Sequence, residues 1–300
     1  MSRTILIDGN SIGYAAHCAT KLTSGEMQTQ AIFGFVKALR DMRQEYPNYK
    51  LVVLWDGRAQ WRYDVYPEYK SSRDNDPKKK AVRVAYAEQR PFIAQAAQHL
   101  GIRQITASGA EADDLAGLLV KQMMAKPDSK VVLMSGDGDW IQLLREGVTW
   151  RDRRDDSKVI TLDNLMDKTG YATPFGFLEG KCLQGDTSDD VSGVGGIGEK
   201  GAPEFIAEFG SVRKFWAACD SGAFRPVKKS HINLCSANGR MLYGRNLRLM
   251  QLLAVTPPPK ETVTVNLGQY DEEAFMHLCQ DFCFGSILKN FNHFIQYFKP

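Results

Sequence analysis

Cysteine is scarce in this sequence, and histidine is scattered. The six cysteines include no CxxC pair, so neither a zinc site of the usual spacing nor a disulfide framework is indicated. His17, His99, His277 and His293 have no partner at metal-ligand spacing. We therefore expect reduced, mostly buried thiols and histidines that are structural or exposed.

Long apolar runs are also missing. No run approaches the roughly 20 residues that span a bilayer, and the opening MSRTILIDGN has too short an apolar part for a secretory signal. The formal charge of +3 is close to neutral and by itself does not point to nucleic acid. With 300 residues, 43% of them hydrophobic, the chain can form one large domain, or one large and one small. We expect a soluble, cytoplasmic protein.

Short apolar segments alternate with amphipathic ones in the first half of the chain. Five segments are typical of buried parallel strands: TILI (4–7), LVVLW (51–55), IRQIT (102–106), KVVLM (130–134) and GVTW (147–150). Between the first two, Ile32, Val36, Leu39 and Met42 recur at helical spacing. The alternation predicts an α/β fold with a central, mostly parallel sheet flanked by helices. After about residue 170 we expect helices separated by glycine turns, with TPPPKETVTV (256–265) as a proline-led connector.

Acidic residues follow four of these predicted strands. The carboxyl ends of parallel strands form the ligand-binding edge of an open sheet, so seven carboxylates are expected at one rim: Asp8, Asp56, Glu111, Asp113, Asp114, Asp137 and Asp139. The segment GDTSDD adds Asp186, Asp189 and Asp190. Helix capping explains any one of these residues equally well, but it does not explain the set. Clustered carboxylates without His or Cys favour Mg²⁺ or Mn²⁺, and two such ions suit phosphoryl displacement.

Basic and aromatic residues are concentrated in residues 58–90. Nine Lys and Arg side chains are interleaved there with Trp61, Tyr63, Tyr66, Tyr69 and Tyr86. This mixture is typical of a surface that meets single-stranded nucleic acid. The alternative is a solvated charged helix whose aromatic residues belong to the core. Lys70 and Arg73 are three residues apart, so on a helix they would share one face.

A glycine-rich segment, SGVGGIGEKGA (192–202), lies in the predicted helical half. Gly193, Gly195, Gly196 and Gly198 permit a tight turn that can bind a phosphate or a monovalent cation. The segment lacks the GK[ST] ending of a nucleotide-binding loop. A turn between two helices, with Lys200 beside it, instead favours contact with a DNA backbone.

Seven motifs appear in an order that resembles the 5′-nuclease (flap endonuclease) family: LIDGN, WDG, YPEYKSSR, GAEADD, SGDGDW, GDTSDD and GVGGIGEKGA. That family includes bacteriophage 5′ to 3′ exonucleases and the 5′-nuclease domain of bacterial DNA polymerase I. The resemblance covers roughly residues 3–255. Little sequence follows the nuclease region, so we expect a stand-alone, phage-encoded enzyme.

The resemblance implies a role for each matching residue. It places Asp8, Asp56, Glu111, Asp113 and Asp114 around one divalent ion, and Asp137, Asp139, Asp186 and Asp189 around a second. It places Lys70 and Arg73 near the scissile phosphate at the base of a helical arch (about 58–90), with Tyr69 available to stack on a base. It implies a helix-three-turn-helix at about 180–210, in which the glycines 193, 195, 196 and 198 and Lys200 hold duplex DNA, with K⁺ at the turn.

These features predict a two-metal 5′ to 3′ exonuclease and 5′-flap endonuclease, acting as a monomer in replication or recombination. Residues 1–170 would form the metal-binding core with the arch, and residues 171–300 a helical DNA-binding region. Removal of RNA primers from RNA–DNA hybrids is the alternative main role. A PIN-type ribonuclease and a non-catalytic DNA-binding relative also remain open, although the first usually lacks the glycine turn and the second should have lost carboxylates. The replication partners are unknown.

Overall fold

The computed structural model describes residues 2–155 and 157–300. Its strands are β1 Arg3–Asp8, β2 Thr23–Ser24, β3 Met27–Gln28, β4 Lys50–Trp55, β5 Arg103–Ala107, β6 Lys130–Met134, β7 Val148–Arg151, β8 Val159–Ile160, β9 Gly185–Asp186, β10 Val191–Ser192 and β11 Val263–Asn266. Its helices are α1 Gly9–Ala19, α2 Gln30–Glu45, α3 Gln60–Val65, α4 Pro77–His99, α5 Ala112–Met123, α6 Leu165–Thr169, α7 Pro174–Gln184, α8 Gly201–Phe209, α9 Val212–Asp220, α10 Lys229–Cys235, α11 Ala237–Met250, α12 Glu272–Asp281, α13 Gly285–Lys289 and α14 Phe291–Ile295.

Seven strands form the central sheet, in the order β11-β5-β4-β1-β6-β7-β8. The five strands predicted from sequence are all present and pair in parallel, whereas β11 and β8 are antiparallel edge strands. The predicted mostly parallel α/β fold is therefore confirmed. β1 lies between β4 and β6 at the centre, and its residues Ile5, Leu6 and Ile7 have no exposed surface, which explains their continuous apolar character.

Helices cover both faces of the sheet because successive strand residues point to opposite faces. Ile5, Ile7 and Val53 pack with α2, α4 and the C-terminal helices α12 to α14. Leu6, Val52 and Leu54 pack with α5 and with a 3₁₀ helix, Gly138–Leu143. A third apolar cluster joins helices α7 to α11. No helix in the described residues is both long enough and apolar enough to span a membrane.

The proline-led segment differs from its prediction as a simple connector. Its last residues form β11, which pairs antiparallel with β5 in the register Val263 to Ala107. α12 to α14 then return to the core beside α2 and α4, where Phe275 and Phe284 are almost completely buried. β-branched Val263, Thr264 and Val265 are well suited to an edge strand. The division of the chain at residue 170 stays a prediction. The structure shows that residues 263–298 add the edge strand β11 to the sheet and pack the helices α12 to α14 against one of its faces.

Candidate active site

The strand ends bring acidic side chains together at one edge of the sheet. Asp8 ends β1, Asp56 follows the neighbouring β4, and Asp137 follows β6 on the other side of β1. The loop after β5 leads into α5, which carries Asp113 in its first turn. The carboxyl group of Asp113 is repelled by Asp137, Asp8, Asp56 and Glu111. The predicted clustering at the carboxyl ends of the strands is thus present.

Helix capping and clustering occur in the same residues. The Asp8 carboxylate caps α1 by accepting a hydrogen bond from the Ser11 amide at 2.9 Å. Asp137 caps the 3₁₀ helix that follows it by accepting from the Asp139 amide at 2.8 Å. Each cap uses one carboxylate oxygen and fixes the side chain at a helix start. Capping therefore positions the acidic residues, and it does not compete with a ligand role.

Burial and mutual repulsion destabilise the charged form of these carboxylates. Desolvation, with repulsion from Asp56, raises the pKa of Asp8 to about 6. Desolvation, with repulsion from Asp139, raises the pKa of Asp137 to about 7. The same causes raise the pKa of Asp113 well above its ordinary value. Such a group binds protons or cations more readily than isolated carboxylates do.

A second group of carboxylates lies beside the first. Asp113, Asp139, Asp186 and Asp189 line a cleft with an internal volume of about 20 Å³, together with Arg62 and Tyr69. That volume is enough for roughly one water-sized occupant. Oδ1 of Asp139 is fully buried there and accepts no well-directed hydrogen bond. Desolvation and the nearby Asp186 raise the pKa of Asp139.

Lys181 supplies positive charge to this second group. Its ammonium lies 3.0 Å from Asp139 Oδ1 and 3.8 Å from Asp186 Oδ2. Burial alone would lower the pKa of Lys181, but these two carboxylates outweigh that effect and raise it. Lys181 stands in the last turn of α7, just before GDTSDD. Sequence reasoning missed it, although a lysine one turn before an acidic loop was an available signal.

Lys70 and Arg73 lie on the acidic cluster, as the resemblance implies. The Lys70 ammonium contacts Glu111 Oε1 at 2.7 Å and Asp189 Oδ2 at 3.7 Å. The Arg73 guanidinium contacts Asp189 Oδ1 at 2.9 Å. They do not share an α-helix face, because Lys70 has a left-handed backbone (φ 58°) and Arg73 belongs to a short 3₁₀ helix. A turn, rather than a helix, places both cations over the carboxylates.

Asp114, which the resemblance implies as a metal ligand, is paired with a buried arginine in this structure. It has no exposed surface, and both of its oxygens accept hydrogen bonds from Arg62, at 2.6 and 2.8 Å. One oxygen also accepts from the Glu111 amide at 2.9 Å. Asp114 thus points into the protein, where it fixes Arg62. Arg62, whose Nη1 lies 3.3 Å from Glu111 Oε2, is a buried support of the site and not part of an exposed basic surface.

The aromatic residues of 58–90 do not form an open stacking surface. Tyr69 is only 4% exposed, and its hydroxyl donates to Glu111 and Asp189 at 3.1 and 2.8 Å. The ring is therefore not open to a base in this structure, and its stacking on a base stays a prediction. Tyr86 is a core residue, and guanidinium groups cover Trp61, Tyr63 and Tyr66 at 4.2 to 4.8 Å. The core alternative applies to Tyr69 and Tyr86, while residues 71–80 are exposed throughout.

The glycine-rich turn lies between β10 and α8. Gly195 and Gly196 have left-handed φ angles of 71° and 79°, which glycine adopts without strain. Gly193 packs against the Gln184 carbonyl, so its lack of a side chain permits close backbone contact. Gly198 and the exposed Lys200 lead into α8. The turn, Lys228 and Ser230 line a cavity of about 360 Å³.

The donor set suits a hard divalent cation. It consists of carboxylate oxygens, several with raised pKa values and one without a well-directed hydrogen bond, as expected for oxygen-liganded Mg²⁺ or Mn²⁺. Within residues 2–155 and 157–300, no three His, Cys, Asp or Glu side chains are already arranged as a metal site. Lys70 and Lys181 contact carboxylate oxygens of this donor set.

Two further side chains orient the carboxylates, and sequence reasoning assigned neither. The Ser135 hydroxyl, which is fully buried, donates to Asp8 Oδ2 at 2.7 Å. The Trp140 indole N–H donates to Asp113 Oδ1 at 2.6 Å. Both belong to the SGDGDW motif, in which the sequence pattern marks only the aspartates as candidate ligands. Such supporting hydrogen bonds fix the orientation of ligand oxygens.

Solved structures with the same architecture come from nucleases. The chain matches a structure of bacteriophage T5 5′-exonuclease with bound divalent metal ions (zinc), with a TM-score of 0.72 and 24% identity over 94% of this chain and 98% of that chain. It matches a DNA and metal-ion complex of the T5 flap endonuclease with a TM-score of 0.71 and 24% identity, over 98% of this chain and 99% of that one. At 24% identity, these two matches show that the chain has the same fold.

Sequence comparison identifies the family. DNA polymerase I of Bacillus subtilis is 32% identical over 233 residues, which is 76% of this chain and 26% of that protein. DNA polymerase I of Mycobacterium tuberculosis is 30% identical over 285 residues, or 92% of this chain and 30% of that protein. The chain thus spans about a quarter to a third of the length of these relatives. The model of the 5′-3′ exonuclease N-terminal resolvase-like domain matches residues 3–170, and the chain belongs to this family.

Proposed function

We propose that this protein is a structure-specific nuclease that hydrolyses DNA phosphodiesters from 5′ ends and at 5′ flaps. The observation that carries the proposal is the acidic cluster at the carboxyl ends of the parallel strands, with Lys70 directly on it. Carboxylates supply ligands for divalent ions, and a lysine beside them supplies a cation for a phosphate. Family membership and the nucleases of like fold support the same chemistry.

The acidic residues would hold two Mg²⁺ or Mn²⁺ ions. Asp8, Asp56, Glu111 and Asp113 would bind the first, and Asp137, Asp139, Asp186 and Asp189 the second. When bound, such ions lower the pKa of water and offset charge on the phosphate. Asp137 is repelled by both Asp139 and Asp8, so it is the residue best placed between the two groups.

Lys70 and Arg73 would act on the substrate. Their present partners are Glu111 and Asp189, and a phosphate entering the cleft would offer both cations a new partner. Their charge offsets the negative charge that grows on the phosphoryl oxygens in the transition state. Residues 58–90 would form the arch that guides the single strand, and its exposed residues 71–80 carry Lys78, Lys79 and Lys80.

The helical region would bind the duplex part of the substrate. α7 and α8 flank the glycine turn, and we propose that they form a helix-three-turn-helix. The amides and carbonyls of Gly193, Gly195, Gly196 and Gly198, with K⁺ bound at the turn and Lys200 beside it, would contact backbone phosphates without reading sequence. On this division residues 1–170 carry most of the metal ligands, and residues 171–300 add Asp186 and Asp189 and make most of the duplex contacts.

The biological role that fits this chemistry is removal of 5′ flaps or primers in replication, or trimming in recombination. RNA–DNA hybrids would be accepted if backbone shape, and not sugar identity, governs recognition. We propose that the enzyme acts as a monomer in the cytoplasm, which is the host cytoplasm if a phage encodes it.

End-labelled substrates test the proposal directly. Purified protein with Mg²⁺ should cleave a 5′-flap DNA near its junction and degrade a nicked duplex from the 5′ end, whereas EDTA should abolish both reactions. Asp137→Asn should lower turnover by orders of magnitude while DNA binding persists, because it removes a ligand charge. Asp167→Asn, at an exposed position on α6, is the matched control. The assignment would be contradicted if the protein cleaved RNA but not DNA, or if Asp137→Asn had normal turnover.

A further inference from the structure

Two cysteines that the proposed chemistry does not use lie side by side in the helical region. Cys219 is in α9, and Cys235 is the last residue of α10. Both are partly exposed, and their thiols interact, because the Cys219 side chain contributes to the raised pKa of Cys235. One turn before Cys219, the Trp216 indole N–H donates to the Leu234 carbonyl at 3.0 Å. α9 and the end of α10 are therefore in direct contact at the position of the two thiols.

Arg240 holds this pair from the next helix. Its guanidinium donates both terminal N–H groups to the carboxylate of Asp220, the residue after Cys219. Its Nε donates to the carbonyl of Cys235 at 3.2 Å. One rigid planar group is thus bonded to the backbone of one cysteine and to the neighbour of the other, which fixes their relative position.

α10, which carries Cys235, also contacts the glycine turn. A Cβ atom at Gly195 would come within 2.7 Å of the Ser230 carbonyl oxygen and 3.5 Å of Leu234, both in α10. α10 has only seven residues, so a displacement at Cys235 is carried through a short, stiff element to Ser230. The position of the turn consequently depends on where α10 sits relative to α9.

We propose that Cys219 and Cys235 are a site of reversible oxidation, and that their disulfide draws α10 toward α9 and thereby weakens the grip of the glycine turn on duplex DNA. The second part rests on the proposed function of the turn. Formation of an S–S bond of about 2.05 Å closes the non-bonded separation of the sulfurs, and we expect α10 to take up part of that movement against the restraint of Arg240. Ser230, directly beneath Gly195, moves with it.

The oxidant would be a peroxide. One thiol reduces hydrogen peroxide, becoming a sulfenic acid as one water leaves, and the second thiol attacks that sulfur and expels the other water. Two thiols and one peroxide thus give one disulfide and two waters, and a dithiol reverses the step. Burial, with the contact to Cys219, raises the pKa of Cys235 to about 11. Either thiol can form the sulfenic acid, and the other thiol then resolves it.

Peptide mass spectrometry of the full chain tests the pairing. After brief exposure to hydrogen peroxide and blocking of free thiols, we expect a Cys219–Cys235 cross-linked peptide that disappears on treatment with a dithiol. The exposed Cys283 is the matched control, and Cys283→Ser should leave the cross-link unchanged. In Cys235→Ser and in Cys219→Ser the cross-linked peptide should be absent, and a sulfenic acid probe should label the remaining cysteine of the pair. Absence of the cross-link in the unsubstituted protein would overturn the proposal.

Equilibrium binding to a blunt duplex without a flap tests the consequence. We expect the peroxide-treated protein to bind several-fold more weakly than the reduced protein, with affinity restored by the dithiol. Cys219→Ser should show no response to peroxide. A cross-link that leaves duplex affinity unchanged would overturn the coupling to the turn. Because the cross-link is detected without any nuclease assay, its failure is distinguishable from failure of the proposed function, which would appear as lack of cleavage in the reduced protein.

Discussion

At the scale of single residues, the site depends on which cation neutralises each carboxylate. Glu111 is shared between Lys70 and the buried Arg62, and Asp139 is paired with Lys181. Arg62 has its position fixed by Asp114, whereas Lys70 and Lys181 are flexible side chains with single ammonium groups. The two lysines can therefore exchange a carboxylate for another partner, and Arg62 cannot do so without leaving Asp114 unpaired.

Replacing Lys70 by Ala should lower the single-turnover cleavage rate of a 5′-flap more than tenfold. Its affinity for the same DNA in Ca²⁺ should change far less, because the charge matters most as the phosphate becomes more negative. Arg73→Ala should act in the same direction but less severely, since its side chain is 48% exposed against 11% for Lys70. Equal losses of rate and affinity would show that Lys70 only binds the substrate.

Replacing Lys181 by Met should have opposite effects without and with metal. In EDTA the melting temperature should fall, because Asp139 and Asp186 lose their counter-charge in a partly buried site. In Mg²⁺ titrations, half-maximal protection against unfolding should need less metal, since the ion no longer competes with an ammonium group. Lys168→Met, on the exposed side of α6, is the control. A higher metal requirement would instead place Lys181 among the groups that help the ion bind.

At the scale of elements, Arg62 joins three of them. It lies in α3, pairs with Asp114 in α5 and donates to the Leu249 carbonyl in α11 at 3.1 Å. Arg62→Leu should lower the free energy of unfolding by about 3 to 5 kcal/mol, because it leaves a buried carboxylate without its partner. Chemical denaturation measures this loss. Arg62→Leu combined with Asp114→Asn should recover part of it, and a double variant as unstable as the sum of the two single variants would exclude the pairing.

The glycine turn gives a second prediction at this scale. Gly195→Ala should weaken duplex binding and lower the melting temperature, because alanine disfavours a φ of 71° and its Cβ would meet the Ser230 carbonyl at 2.7 Å. Gly244→Ala, inside α11 with no atom near the added Cβ, should raise stability slightly. Duplex affinity at several salt concentrations distinguishes the two variants. Normal binding by Gly195→Ala would show that the turn is not a duplex contact.

The sequence predicted those elements whose residues carry local signals. Apolar runs identified the five parallel strands, and aspartates after them identified the acidic edge. The sequence could not show that the Tyr69 side chain turns inward to Glu111, or that both Asp114 oxygens are paired with Arg62. Both outcomes depend on contacts between segments that are distant in the sequence. β11 was missed for the same reason: four residues after a proline run become a strand only when an edge strand is available.

At the scale of the whole molecule, ionisation of the clustered carboxylates lowers the stability of the folded protein. In the absence of metal, the raised pKa values of Asp8, Asp113 and Asp137 mean that the folded state binds protons more tightly than the unfolded chain does. Stability from these groups is fully present below their unfolded pKa and is lost as the pH rises through about 6 to 7.

In EDTA, the melting temperature should therefore fall by several degrees between about pH 5 and pH 8 because these carboxylates ionise. Saturating Mg²⁺ should raise it and flatten this dependence, since a bound ion favours the ionised carboxylates. Differential scanning fluorimetry at matched ionic strength measures both curves. Asp137→Asn should reduce the slope in EDTA. Parallel curves with and without Mg²⁺ would show that the ion does not bind this cluster.

The antiparallel edge strand also sets an order of events during synthesis. β5 is complete at residue 107, but its outer partner β11 begins only at residue 263, so about 160 residues must be translated between them. At roughly 5 to 20 residues per second, the outer side of β5 waits on the order of 10 to 30 seconds on the ribosome. Unpaired strand edges attract other chains. The nascent protein should therefore depend most on chaperones in that interval, before its last helices seal the layer over α2 and α4.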